Sequence, residues 1–303
     1  MISIKQLSYA LSVEDTLHFK RAAEECNISP SALSTALNEL EKQLGLKIFE
    51  RDNRKVLVTP IGRRVLLQAR FIMLQVDDLQ HFADNQKLPF SYPMKIGLIP
   101  TIAPYLLPKL LPLLKKQYPL ARLQIVENQS LQLVDLVKRG ELDAAVLALP
   151  FPCDGLLTLD FWEEDFYWIA PKGERFTDQQ DITGEQLAQC NLLLLQEGHC
   201  LKDHIVDACN LAKQSDNQSF NATSLNTLIQ MVLCHLGTTL IPAMAVDQLT
   251  AQHESLSVVH LKAPGPHRQL AFIIRPNFTR LSNIETLIDL AKQSLRTQLN
   301  QNN

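Results

Sequence analysis

The chain has 303 residues, 46% hydrophobic and 20% charged, which fits a packed globular protein of two or more domains and excludes a disordered chain. No apolar run approaches the ~20 residues of a membrane-spanning helix, and the opening MISIKQLSYALSVEDTLHF lacks the pattern of a secretory signal, so a cytoplasmic protein is expected. The net charge of −3 hides an asymmetry: residues 1–64 carry ten Lys and Arg against eight Asp and Glu, the remainder nineteen against twenty-four, which leaves nucleic-acid binding open for the N-terminal part.

In chain order, Phe19, Ala22, Ala23 and Cys26 fall at helical spacing, and Asn27-Ile28 interrupts them. Ser29 is placed to cap a second helix and Pro30 to occupy its first turn, where a missing N–H is harmless. Leu33, Leu37, Leu40 and Leu44 give that helix a buried stripe, and Gly45 suits a left-handed exit. Two short helices about a tight turn predict a helix-turn-helix, although an ordinary helical hairpin has the same spacing. Phe49 to Val58, with RDNRK at the apex, predicts a two-stranded wing whose Arg51 and Arg54 would meet phosphates. Phe19, Ala22, Ala23, Ser29, Ser34, Leu40, Glu41, Leu44, Gly45, Phe49, Arg51 and Thr59 together resemble the winged helix-turn-helix of LysR-type transcriptional regulators. Two positions depart from that pattern: Pro30-Ser31 follows the serine, and Asn38 stands where a basic residue is common. No Lys or Arg lies between Pro30 and Glu41. The side chains offered to double-stranded DNA are therefore Ser29, Ser31, Ser34, Thr35 and Asn38, whose short polar groups discriminate bases less than a bidentate arginine does.

Thr59-Pro60 repeats the cap-then-proline signal, and Val65, Ala69, Ile72, Val76, Leu79 and Ala83 then recur at four and three residues, the seam of a coiled coil. Residues 60–87 are expected to form a linker and dimerisation helix, and the resemblance implies a dimer of dimers. From Met94 short apolar runs alternate with amphipathic helices: KIGLI, RLQIV and DAAVLAL, then FYWIA, LLLLQ, SFNAT and TTLIP, with a return through QLAFIIRP to a last helix from about Thr279. This alternation predicts parallel sheets with right-handed crossovers. The expected fold class is α/β: a winged helix-turn-helix (1–59), the linker helix (60–87) and a two-lobed periplasmic-binding-protein-like regulatory domain (92–303). Lobe I would comprise 92–162 and 269–303, lobe II 163–268. Ligands of such sheets meet the carboxyl ends of strands, where Thr101, Ser130 and Thr223-Ser224 fall, and helix capping accounts for the same residue types.

QEGHCLKDHIVDAC, residues 196–209, holds two cysteines, two histidines and two aspartates. A redox couple, a metal site and two unrelated core cysteines are all open on composition. On a continuous helix Cys209 is turned ~900° from Cys200, so zinc would find no converging ligands. Core burial is the default for cysteine, and Cys26, Cys153, Cys190 and Cys234 are assigned to it. Cys200 differs, because it follows Gly198-His199 at an expected helix start, where free N–H groups favour a thiolate. Nine helical residues separate the two Cα atoms by ~13.5 Å. A disulfide tolerates ~7 Å at most, so a bond here would require the helix to unwind.

EGHCLKDHIVDAC, IGLIPTIAPYLLP, ELDAAVLAL, ATSLNTL and TLIPAMAV resemble the peroxide-sensing members of the LysR family over nearly the whole chain. The resemblance implies a transcription activator, not an enzyme, that senses hydrogen peroxide through Cys200 as peroxidatic and Cys209 as resolving cysteine. It further implies a peroxide pocket of Thr101, Ser130 (in place of threonine), His199, Asp203 and Arg268, partnership with RNA polymerase, and resetting by cellular thiol reductants. No cofactor and no resident metal are expected. CHLGTTLIP, with His235 and Leu236, replaces a turn of small residues. An effector-binding LysR regulator without a redox switch and a thiol peroxidase are the competing readings.

Overall fold

A computed structural model describes residues 1–52, 55–85, 89–90, 92–209, 222–262 and 264–299. The chain divides into two compact units, Met1–Gln86 and Lys87–Asn303. Among the described residues no helix is long and apolar enough to cross a membrane.

The first unit opens with α1 (Ile4–Thr16), started by a reciprocal capping box between Ser3 and Gln6. Next comes α2 (Phe19–Glu25). Asn27, at φ +54°, turns the chain, a conformation that asparagine tolerates better than most residues. In α3 (Pro30–Leu44) the Ser29 hydroxyl accepts from the Ala32 N–H and Gly45 exits at φ +69°, both as the sequence predicts. Strands β1 (Phe49–Asp52) and β2 (Lys55–Val58) pair antiparallel as the wing. Leu33, Leu37 and Leu40 are buried with Ala22, Ala23 and Ile48, while Leu44 is only partly covered.

Glu41 entered the sequence reading only through the family resemblance, and the fold supplies its role. This carboxylate is buried at the end of α3 and accepts from the backbone N–H groups of Ile48 and Phe49 at 2.9 and 3.1 Å and from Lys47 Nζ at 2.7 Å, fixing the wing to the helix. Thr59 opens α4 (Pro60–Asn85) by accepting from the Gly62 N–H at 2.8 Å. The expected seam of α4 divides in two. Val65 and Ala69 pack with Leu66 and Met73 onto the core of their own unit, and Arg70 ties the helix to Glu14 and Asp15 on α1. Ile72 and Leu79 are exposed, the latter at 74%. A heptad spacing does not say whose surface covers it, and here α1 takes the first two turns.

The second unit begins with β3 (Met94–Leu98), α5 (Ala103–Gln117), β4 (Leu123–Glu127), α6 (Ser130–Arg139), β5 (Ala144–Leu149) and β6 (Leu157–Glu164). After Asp165 come β7 (Phe166–Pro171), β8 (Asp181–Ile182), α7 (Gly184–Leu187), α8 (Cys200–Ala208), α9 (Leu225–Leu233), β9 (Thr239–Pro242), α10 (Ala243–Thr250) and β10 (Leu256–Leu261). The chain returns through β11 (Arg268–Ile274) to α11 (Leu281–Leu299). One sheet has the order β4-β3-β5-β11-β6 and the other β8-β10-β7-β9. The two sheets make two lobes, joined at β6–β7 and at the approach to β11.

In the first sheet β3 pairs parallel with β4 and β5, as the alternation predicts, and β11 lies antiparallel to β5 and β6. The second sheet corrects the expectation of a parallel sheet, since β7 pairs antiparallel with both β9 and β10. LLLLQ is not a full strand. Leu192 bridges Thr238 and Leu195 bridges Ala222, so the segment changes partner within four residues and neither ladder extends. Most of SFNAT lies outside the described residues.

Candidate redox site

The Cys200 thiol is placed by local backbone chemistry. Gly198 has φ +93°, a left-handed conformation that favours glycine, and it lies against the Gln129 side chain. His199 is the N-cap of α8 but supplies no side-chain cap, which leaves Cys200 as the first helical residue beside N–H groups that attract negative charge. The adjoining cleft is lined by Thr101, Gln129, Ser130, Gly198, His199 and Cys200. It is closed tightly in this conformation, and a ligand the size of water requires its walls to give slightly.

Thr101 follows the carboxyl end of β3 and Ser130 that of β4, and both are essentially buried. Capping explains neither. Arg268 Nη2 donates to Thr101 Oγ1 at 3.1 Å, and Ser130 Oγ has no hydrogen-bond partner. Ser224, by contrast, is a helix cap, accepting from the Thr227 N–H at 3.2 Å. A buried hydroxyl without a partner is uncommon and suits a bound polar molecule.

Arg268 is 1% exposed, and its Nε and Nη1 make no hydrogen bond. Glu164 Oε1 lies 3.7 Å from Nε, an ion pair longer than a hydrogen bond. Burial pushes the Glu164 carboxyl above its ordinary value, against the pull of Arg268 and the Met244 N–H. The His199 ring is held neutral-favouring by burial, and His204 likewise. His204 Nε2 is 3.2 Å from the Pro150 carbonyl. A carbonyl only accepts, so Nε2 carries the proton and the unpartnered Nδ1 presents a lone pair. Glu164 and Gln129 were not found from sequence, because only tertiary pairing brings them here, whereas His204 follows Cys200 by one turn of α8 and was weighed there only as a metal ligand.

The structure thus brings Thr101, Ser130, His199 and Cys200 into one cleft, with Arg268 on Thr101. Asp203 is not among its walls. Its side chain is exposed on the first turn of α8, where a carboxylate keeps its hydration. Cys209 is the C-cap of α8, buried like Cys200, and both thiols are free. Burial pushes the Cys209 thiol up to about 11. Its carbonyl abuts Gly184, where an added Cβ would come within 2.5 Å of the Cys209 oxygen. The assignment of the other four cysteines to the core needs correction: Cys26, Cys153 and Cys190 are half-buried and Cys234 is exposed, because they fall at helix ends and loops rather than on an inward face. His235 and Leu236 continue that exposed turn, with His235 at φ +58°. Among the described residues no group of three or more His, Cys, Asp or Glu is arranged to hold a metal.

On the first unit, Ser29, Ser31, Thr35 and Asn38 are exposed along the start of α3 and Ser34 is half-buried. Two hydroxyls already have backbone work: Ser29 caps the helix, and Thr35 Oγ1 donates to the Ser31 carbonyl at 2.9 Å. The Arg51 backbone belongs to β1, whereas its side chain and all of Arg54 lie outside the described residues.

A winged helix-turn-helix unit in one chain with a two-lobed α/β unit holding a small polar cleft defines a transcriptional regulator with its own sensor domain. Residues 4–63 match the bacterial regulatory helix-turn-helix protein model of the lysR family, and residues 90–296 match the LysR substrate binding domain. The chain belongs to the LysR family of DNA-binding regulators. It is 35% identical to the HTH-type transcriptional regulator EstR of Acinetobacter baylyi, over 97% of this chain and 98% of EstR. It is 33% identical to the DNA-binding transcriptional dual regulator OxyR of Escherichia coli, over 95% of this chain and 94% of that protein. Among solved structures, a full-length OxyR variant from Pseudomonas aeruginosa superposes with a TM-score of 0.79 at 35% identity, covering 96% of this chain and 98% of that one.

Proposed function

We propose that this chain is a hydrogen-peroxide-responsive LysR regulator, similar to OxyR, whose state is set by a reversible disulfide between Cys200 and Cys209. The carrying observation is the Cys200 thiol at an uncapped helix start beside Thr101, Arg268 and the unpartnered Ser130 hydroxyl. In the first step the Cys200 thiolate attacks one peroxide oxygen; an S–O bond forms, the O–O bond breaks and hydroxide leaves, taking a proton to become water. Thr101 and Ser130 orient the peroxide, and Arg268 stabilises the leaving oxygen by charge. In the second step the Cys209 thiol attacks the Cys200 sulfur: S–S forms as the S–O bond breaks, and the thiol proton leaves with the hydroxide as water. Cellular thiol reductants return both thiols, so peroxide is consumed once per switch and not in steady turnover.

In this reading residues 1–59 bind promoter DNA, residues 60–87 link and pair subunits, and residues 92–303 sense, with lobes at 92–162 plus 269–303 and at 163–268. Assembly is a dimer of dimers that engages RNA polymerase in the cytoplasm. Similarity to EstR keeps a second reading in view, a LysR regulator that answers a small effector in the same cleft. Brief peroxide followed by a sulfenate-trapping dione and peptide mass spectrometry separates the two. The peroxide reading expects a labelled Cys200 in Cys209→Ser, a Cys200–Cys209 link in the native chain, and no label at residue 200 in Cys200→Ser. An unreactive Cys200 favours the effector reading.

A further inference from the structure

The Arg268 guanidinium has five N–H donors in a rigid plane, and a donor helps a reacting oxygen only if that plane is held. One point of attachment is Nη2 on Thr101 Oγ1, at 3.1 Å. The same nitrogen also reaches the Thr101 carbonyl at a longer 3.5 Å, so both contacts hold a single corner of the plane and leave it free to rotate about Nη2. The second point is Glu164. Glu164 ends β6, Arg268 begins β11, and the two are direct cross-strand partners at the place where both connections between the lobes leave the first sheet. The carboxylate side chain is 1% exposed, so it has no water to turn toward. Its Oε2 accepts from the Met244 N–H in the first turn of α10 at 3.0 Å, which anchors it to the second lobe. Its Oε1, with no hydrogen bond of its own, faces Arg268 Nε at 3.7 Å. With Nη2 on Thr101 and Nε toward Glu164, the group left over is Nη1, buried and unpartnered.

Resting on the peroxide reading above, we propose that Glu164 is a positioning residue for the peroxide step: it holds the Arg268 plane so that Nη1 is presented to the oxygen that leaves. Glu164 touches neither the sulfur nor the peroxide and acts through Arg268. Because its other oxygen is bonded to α10, the same carboxylate makes the reactivity of the cleft depend on how the second lobe is seated.

The test uses the full chain with Cys209→Ser, so that oxidation stops at the sulfenic acid. Rates of Cys200 oxidation by hydrogen peroxide and of its alkylation by iodoacetamide are measured side by side. Glu164→Gln keeps the shape and the Met244 bond but turns a neutral amide toward the guanidinium. It should slow oxidation on the order of 10- to 100-fold, the size of effect that small misplacement produces, while alkylation changes little. Added to Arg268→Lys, it should slow oxidation hardly further, since both act through one group. If Glu164→Gln does not fold, Glu164→Asp serves: it keeps the charge, withdraws it from Arg268, and should slow oxidation selectively. Equal oxidation rates in the variant and its parent overturn the proposal and leave the peroxide reading intact. Equal slowing of oxidation and alkylation also overturns it, by showing a general disturbance of the thiol. A parent Cys200 that peroxide does not oxidise overturns both.

Discussion

Oxidation that joins Cys200 to Cys209 has to dismantle α8, so the stability of that helix belongs in the redox equilibrium. Asp207 offers a clean perturbation. It is exposed, lies in the last turn of α8, and no basic side chain is present there. Asp207→Lys replaces a weak helix former with a stronger one, and exchanges a charge that opposes the helix dipole for one that complements it. Together these stabilise the helix by ~1 kcal/mol. Lys202→Gly, in the first turn, works in the opposite direction by ~1 kcal/mol. If the helix is present in the dithiol form and absent in the disulfide form, each change enters the couple in full. About 30 mV corresponds to 1.4 kcal/mol for two electrons, so each variant shifts the potential by ~20 mV. Stabilising the dithiol makes the disulfide easier to reduce, hence Asp207→Lys moves upward and Lys202→Gly downward. Titration against glutathione buffers, with the two forms counted by differential alkylation and mass spectrometry, resolves the ~40 mV between them. Two variants with the wild-type potential would show that α8 survives oxidation, and the unwinding argument would fail.

Three further outcomes follow from the same structure. Glu41→Ala strips two buried amides, those of Ile48 and Phe49, of their acceptor, and should destabilise the N-terminal unit by ~3 kcal/mol in thermal unfolding. Burial alone would raise the Glu41 carboxyl, but Lys47 and the two amides outweigh it and hold it low, so this stabilisation is present above the ordinary carboxylate range and is lost as pH falls through the depressed value. At the connection between the lobes, His260 Nδ1 is 2.8 Å from Asp181 and Nε2 is 3.2 Å from Asp165; burial opposes its charge, yet the carboxylates hold its pKa above the usual histidine value. The contribution is complete below about pH 6.5 and lost as pH rises through the raised value, so unfolding midpoints should drop over that window in the native chain and stay flat in His260→Gln. With the ring partly exposed the effect is no more than ~1 kcal/mol. Ile72→Glu combined with Leu79→Glu, on the uncovered part of α4, should reduce the oligomer in sedimentation; an unchanged oligomer would place the interface elsewhere.

Much of this was legible in the sequence wherever structure is decided locally. Ser29-Pro30 and Gly45 bracket α3 because caps and exits depend on a few neighbouring atoms, and the apolar runs KIGLI and DAAVLAL read as strands because both faces are covered. Cys200 at a helix start was readable from Gly198-His199 for the same reason. Nonlocal partners were not readable. Thr101, Ser130 and Ser224 look alike in sequence, and only the positions of Arg268 and of the helix N–H groups separate two cleft residues from a cap. Glu164 meets Arg268 across strands far apart in the chain. The first turns of α4 carry the spacing of an intersubunit seam, yet α1 of the same unit was there to cover them. Asp203 is on the same short segment as Cys200 but stays in solvent, since proximity along the chain does not pay for desolvating a carboxylate.

The central claim, that forming the disulfide remodels a helix, is tested most directly by amide hydrogen exchange across residues 201–209 in the reduced and peroxide-treated chain, with the Cys200–Cys209 link mapped in the same digest. The ends of α8 stand ~13.5 Å apart along the helix and a disulfide spans ~7 Å at most. The account predicts slow exchange in the dithiol form and markedly faster or redistributed exchange once the link is present. A mapped link with exchange unchanged across 201–209 would contradict it.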